Sequence, residues 1–82
     1  MDTIIMEFII SATGESHDLE IPKHIKVNDL IRALKAAYNL NIDLSRPDQL
    51  YLQTEEPAAL LTGDHTIEEF GLHNGTKLFF TR

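Results

Sequence analysis

The chain contains no cysteine and no tryptophan. Without thiols it has no disulfide framework, no thiolate metal site and no cysteine nucleophile. Glycine and proline are sparse, at four and three residues, whereas hydrophobic residues make up 43 % of the chain. This composition is typical of a folded globular protein and not of a disordered or fibrous one. A length of 82 residues predicts a single domain spanning residues 1–82.

The sequence also lacks a long hydrophobic run and an excess of positive charge. The apolar run over residues 4–10 is interrupted by Glu7 and preceded by Asp2, unlike a signal peptide. No stretch approaches the roughly 20 apolar residues that cross a bilayer. Thirteen acids against seven Lys and Arg give a net charge of -6, which repels nucleic-acid phosphates. We therefore expect a soluble cytoplasmic protein with no nucleic-acid partner and no direct membrane insertion.

Hydrophobic periodicity predicts the secondary structure. Period-two alternation predicts strands over residues 4–10, 18–21, 50–53 and 77–81, with a further short strand over 58–61. From Val27 to Tyr38 the apolar spacing changes to three and four residues, which predicts a helix with Asn28 and Asp29 in its first turn. Thr66 and Glu69 match a capping box, and Gly71 follows, which predicts one more helical turn.

One helix can cover only one face of a sheet, so half of the strand residues are expected to face it. The residues predicted to fill the core between helix and sheet are Met6, Phe8, Ile10, Leu19, Ile21, Val27, Leu30, Ile31, Leu34, Leu50, Leu52, Ile67, Phe70, Leu72, Leu78 and Phe80. Each contributes about 1.5–3 kcal/mol on full burial.

The order of elements, together with segments 18–21, 47–49 and 66–72, resembles ubiquitin over nearly the whole chain. A closer resemblance is to the small ubiquitin-like proteins of bacterial type VII secretion, the YukD/EsaB family. The positions that carry it are Gly14, Asp18, Leu19, Pro22, Val27, Leu30, Ile31, Ile67, Phe70, Leu72 and Gly75. The resemblance implies an α+β fold, a ubiquitin-like β-grasp whose mixed sheet carries one main helix on one face. It also implies an accessory or regulatory role and a protein partner in the cytosolic part of the secretion machinery, such as its ATPase or another core component.

The sheet face away from the helix carries the candidate binding residues. Alternation places Ile5, Ile9, Tyr51 and Phe79 there, where a monomer favours polar side chains. A ubiquitin-like strand order brings Ile9 beside Phe79, with Tyr51 one strand further on. In the resemblance to ubiquitin, Gln53 occupies the position nearest to that of the isoleucine at the centre of ubiquitin's hydrophobic patch. These five residues are the predicted partner-binding site, although isolated exposed apolar side chains are also common.

Neither a catalytic site nor a cofactor site is predicted. The four histidines are dispersed along the chain and have no cysteine to complete a zinc site. The pairs Glu55-Glu56 and Glu68-Glu69 lack the cleft that carboxylate catalysis needs, and the isolated glycines form no phosphate-binding loop. We therefore expect no enzyme, no metal and no cofactor.

Acidic residues concentrate between residues 43 and 69, where seven acids face one base. Such a region either keeps the protein soluble or steers it towards a basic partner. Two alternative functions remain open. One is an accessory subunit of a multicomponent oxygenase, and the other is a conjugable or carrier modifier. The sequence ends in Phe80-Thr81-Arg82 and not in Gly-Gly, so conjugation is not expected unless the chain is truncated.

Overall fold

The computed structural model describes residues 2–55 and 58–81. Its strands are β1 (Thr3–Ile10), β2 (Glu15–Pro22), β3 (Tyr51–Glu55), β4 (Ala59–Thr62) and β5 (Lys77–Phe80), and its helix is α1 (Val27–Tyr38). Short 3-10 helices span Pro47–Gln49 and Glu68–Phe70. The predicted strands, helix and final helical turn are all present, with shifted strand ends, whereas the 3-10 helix over Pro47–Gln49 was not predicted.

The five strands form one mixed sheet in the order β2-β1-β5-β3-β4. The first and last strands, β1 and β5, lie side by side at the centre and run parallel, whereas the other neighbours are antiparallel. The helix packs on one face of this sheet. The expected α+β β-grasp architecture is thereby confirmed.

Helix α1 is held by its apolar stripe and by backbone bonds at its start. Its buried residues are Val27, Leu30, Ile31 and Leu34. Lys26 precedes the first turn in an extended conformation, and no side chain caps it. The N–H groups of residues 27 and 28 instead donate to the carbonyls of His65 and Gly63, at 2.9 and 3.2 Å. The loop before the second 3-10 helix thus supplies backbone acceptors to the first turn, in which Asn28 and Asp29 were expected.

The core lies between α1 and the sheet, as predicted. Four residues missed by the sequence analysis are also buried in it: Ile4, Leu40, Ile42 and Leu61. Three predicted core residues, Leu19, Leu50 and Phe70, are only half-buried and pack against the core from outside. Most of the inward-facing set was therefore predicted correctly.

The prediction of a capping box at Thr66 and Glu69 is wrong. The 3-10 helix begins after Ile67, and no side-chain bond caps it. The Glu69 carboxylate instead lies 2.8 Å from Nδ1 of His65, so it points away from the backbone position a capping box requires. Gly71 does close the turn in the left-handed conformation, with φ of 70°, as predicted.

Candidate docking face

The candidate site lies on the sheet face opposite α1, which we call the uncovered face. Met6, Phe8 and Ile10 of β1 are buried beneath the helix, so Ile5 and Ile9 lie on the other side of the same strand. Ile5 is 52 % exposed and Ile9 is half-buried. The helix therefore covers neither residue.

Strand register aligns three of the predicted residues in one line. Ile9 on β1 lies opposite Phe79 on β5, and Phe79 lies opposite Gln53 on β3. Gln53 in turn lies opposite Leu60 on β4. We call these four residues, Ile9, Phe79, Gln53 and Leu60, the central row. Three inter-strand steps make it about 14 Å long.

The central row has an exposed end at Leu60. This side chain is 54 % exposed, Gln53 is exposed, and Phe79 is half-buried between its neighbours. A shallow depression of about 370 Å³ lies beside the three of them and extends to Ala58 and Thr81. The end of the row therefore combines exposed apolar surface with a concave shape.

Leu60 was missed because the sequence has adjacent leucines. In the pair Leu60-Leu61 either residue fits an inward position, and the short predicted strand did not fix the phase. The structure buries Leu61 completely, at 0 % exposure, so that Leu60 faces outward. Its pairing with Gln53 is the signal that identifies it as part of the row.

The remaining two predicted residues lie outside the central row. Tyr51 is half-buried, two residues from Gln53 along β3, and pairs with Thr62. Ile5 lies four residues from Ile9 along β1, which is about 13 Å. Its backbone accepts a bond from the N–H of Gly75, so Ile5 sits beside the turn before β5. The predicted set is therefore split into a central group and one separate exposed residue.

A second row of charged residues crosses the same face next to the central row. Strand register aligns Asp18 with Glu7, Glu7 with Lys77, and Lys77 with Glu55. The Glu7 carboxylate also accepts a 2.6 Å bond from the Ser16 hydroxyl. Ile5 lies on the far side of this charged row. Apolar surface on the uncovered face is thus bordered by charges of both signs.

The titratable side chains of the described residues do not gather into a metal-binding cluster. Within residues 2–55 and 58–81, no three His, Asp or Glu side chains come together in a group that could hold a metal ion. His24 lies between Asp2 and Glu68, at 3.6 and 3.2 Å, on the exposed surface. Over the same residues, no helix has the length and apolar character needed to cross a membrane.

Among the described carboxyls, Asp43 has a shifted pKa, and it lies in the loop after α1, away from the strands of the uncovered face. The hydroxyl of Ser45 donates to Asp43 at 2.6 Å and the Ser45 backbone N–H donates at 3.0 Å. These two bonds lower the pKa of Asp43 below its ordinary value of 3.8. The pair belongs to the loop after α1.

Solved structures similar to this chain include a ubiquitin and several ubiquitin-like domains. Ubiquitin from Caldiarchaeum subterraneum is 20 % identical with a TM-score of 0.68, over 98 % of this chain and 94 % of that one. The ubiquitin-like domain of tubulin-binding cofactor B is 17 % identical with a TM-score of 0.73, over 95 % and 87 %. That of mouse tubulin-specific chaperone e is 14 % identical with a TM-score of 0.73, over 95 % and 84 %. At such identities the likeness establishes the fold alone.

A mixed sheet of this order with one helix on one face, together with these neighbours, defines a ubiquitin-like β-grasp protein. No curated protein matches the sequence significantly. A family model described as "WXG100 protein secretion system (Wss), protein YukD" matches residues 5–79. Because this match covers most of the sequence, the chain belongs to the YukD family. The resemblance to the YukD/EsaB family is thereby confirmed.

Proposed function

We propose that this protein is a non-catalytic interaction module of a bacterial type VII secretion system and that it docks a protein partner through the central row. The observation that carries the proposal is the pairing of Ile9 with Phe79 on a sheet face that α1 leaves uncovered. Membership of a secretion-associated family supports the biological setting. We propose a cytoplasmic location, with recruitment to the inner membrane face through the partner, and one domain spanning residues 1–82.

The central row has the composition of a small binding surface. The half-buried side chains of Ile9 and Phe79 form the apolar centre of the row. Leu60 adds exposed apolar area at one end. An apolar centre with a polar rim is the usual anatomy of a transient protein interface. Gln53 supplies a hydrogen-bonding amide within the row, and the adjacent charged row adds orientation through electrostatic complementarity.

The proposed partner is a cytosolic part of the secretion machinery, such as its ATPase or another core component. A net charge of -6 favours a basic surface on that partner. Binding by shape and charge requires no covalent step, so the protein would act by presenting a rigid sheet and not by chemistry.

The test is to measure binding of the purified cytosolic ATPase domain of the same secretion system to single variants. Ile9→Ser and Phe79→Ser each remove an apolar side chain from the row, and we expect each to weaken binding by about tenfold or more. Circular dichroism checks that both variants remain folded. Leu44→Ser is the matched control, because Leu44 is also an exposed apolar residue but lies outside the sheet.

Unchanged binding by folded Ile9→Ser and Phe79→Ser proteins would remove the central row as the docking site. Ile5→Ser, measured alongside, determines whether the interface extends beyond the charged row to the separate exposed isoleucine. The secretion setting has an independent test in the neighbouring genes. A secretion ATPase and small helical-hairpin substrates would support it, whereas hydroxylase subunits would support an oxygenase subunit instead.

A further inference from the structure

Strand β2 lies at one edge of the sheet and has an unused side. It pairs with β1, and no other strand within residues 2–55 and 58–81 lies beside it. The N–H of Lys23 donates to the carbonyl of Asp2 at 2.8 Å, which fixes the phase of the antiparallel ladder. Residues 17, 19 and 21 therefore bond to β1, and the backbone groups of Ser16, Asp18 and Glu20 point outward.

An apolar groove runs between this edge and the helix. Its volume is about 330 Å³, and its floor and walls include Leu19 and Ile21 of β2 and Leu30 and Leu34 of α1. On the helix side it is bordered by alanines at positions 33 and 37, which are one turn apart and exposed. Such small side chains leave space that longer residues at these positions would fill.

The edge and the groove together fit an added strand. Side chains on successive residues of a strand point to opposite faces. In a segment paired with β2, every second side chain would enter the groove next to Leu19 and Ile21. The side chains between them would lie on the uncovered face beside Asp18 and Glu20. Strand addition of this kind draws affinity from backbone bonds and specificity from alternate side chains.

Charge determines which segment fits. Strand β2 carries three acids, Glu15, Asp18 and Glu20, and neither Lys nor Arg. A second copy of β2 paired at this edge would place acids beside acids, which is unfavourable for cross-strand neighbours. Pro22 has no N–H and limits the available edge to residues 16–20. The complementary occupant is thus a short heterologous strand with basic residues.

We propose that the β2 edge and the groove between β2 and α1 bind an extended segment of a partner protein in which apolar and basic residues alternate. This site is separate from the central row. The segment would lie along the outer edge of the sheet, and its apolar side chains would contact the helix side. This proposal does not depend on whether the central row docks a partner.

The test uses two synthetic peptides, TKVRVKIT and TEVEVEIT, that differ only at their three charged positions and are blocked at both ends. Titration into ¹⁵N-labelled full-length protein at low salt should give saturable amide shifts at Ser16, Asp18 and Glu20 with the basic peptide. The acidic peptide should bind at least about tenfold more weakly, because its glutamates would lie beside the strand's own acids. Raising the salt concentration should weaken binding of the basic peptide, because salt screens the attraction between opposite charges.

A pair of helix variants tests the groove itself. Ala37→Lys puts a cation into the groove, whereas Ala36→Lys adds the same charge to an exposed position outside it. Both keep similar helix propensity. We expect Ala37→Lys to weaken binding of the basic peptide by about fivefold or more. Ala36→Lys should change its affinity by less than about twofold.

Four results would overturn the proposal. They are no saturable binding, equal binding of the two peptides, equal effects of Ala36→Lys and Ala37→Lys, or peptide-induced shifts at Ile9 and Phe79 in place of β2. None of them bears on the ATPase measurement, so failure of this site and failure of the central row are distinguishable.

Discussion

Leu78 provides a sharp test of the one-sided core. It lies on the central strand β5, is 0 % exposed, and is paired between Phe8 on β1 and Thr54 on β3. Leu78→Ala removes three carbon atoms, which costs about 2.4 kcal/mol of transfer free energy at about 0.8 kcal/mol per buried carbon. The cavity that remains raises the total to about 3–4 kcal/mol. This is a large share of the roughly 5–10 kcal/mol expected for a small domain.

The matched control is the same substitution on the other face. Leu60 is 54 % exposed on β4, so Leu60→Ala should cost less than about 1 kcal/mol. Urea denaturation followed by far-ultraviolet circular dichroism measures both. With a slope of about 1 kcal/mol/M, Leu78→Ala should lower the midpoint by about 3–4 M. Equal losses in the two variants, or a loss below about 1 kcal/mol for Leu78→Ala, would refute the assignment of the buried face.

Three further predictions concern loops. Gly75 has φ of 90° and donates its N–H to the Ile5 carbonyl, so Gly75→Ala should lower the free energy of unfolding by about 1 kcal/mol in urea denaturation. The buried hydroxyl of Thr76 accepts a hydrogen bond from the His73 N–H at 3.1 Å. Thr76→Val removes this acceptor and should lower the free energy of unfolding by about 1–2 kcal/mol in the same assay, whereas Thr76→Ser keeps the hydroxyl and should lower it much less. Because the lowered pKa of Asp43 favours its charged form in the fold, the stabilisation is present above pH 3.8 and is lost as the pH falls through the lowered value. Ser45→Ala should raise that pKa in a carboxyl NMR titration, and an unchanged pKa would contradict the bond.

The inward face was predictable because it depends on periodicity alone. Alternation along β1 and the three-and-four spacing along α1 identify Met6, Phe8, Leu30 and Leu34 without any knowledge of neighbours. Leu40 and Ile42 were missed because they lie after the helix, in a segment with neither period. Their burial depends on how the chain returns to the core, which local patterns do not encode.

Helix starts were less predictable because several groups can satisfy the same backbone N–H. The first turn of α1 bonds to carbonyls of residues 63 and 65, which are distant in sequence. At Thr66 the motif was present, but Glu69 pairs with His65 instead. In both places a tertiary or local alternative replaced the capping geometry that the sequence pattern favours.

The proposed binding surfaces depended most on tertiary structure. Alternation placed Ile9 and Phe79 on the right face, and the resemblance to ubiquitin supplied the strand order that makes them neighbours. Leu60 required the register of β4, and the groove required the spacing between β2 and α1. Neither is a property of one segment, so neither was accessible from periodicity.

The most direct test of docking through the uncovered face is a methyl NMR footprint of the bound cytosolic ATPase domain. The protein is labelled at isoleucine and leucine methyl groups and titrated with that domain. We predict that Ile9 and Leu60 methyl signals shift or broaden first, while the methyl signals of the buried Ile31 respond little. A footprint confined to the outer side of α1, with Ile9 and Leu60 unchanged, would contradict it.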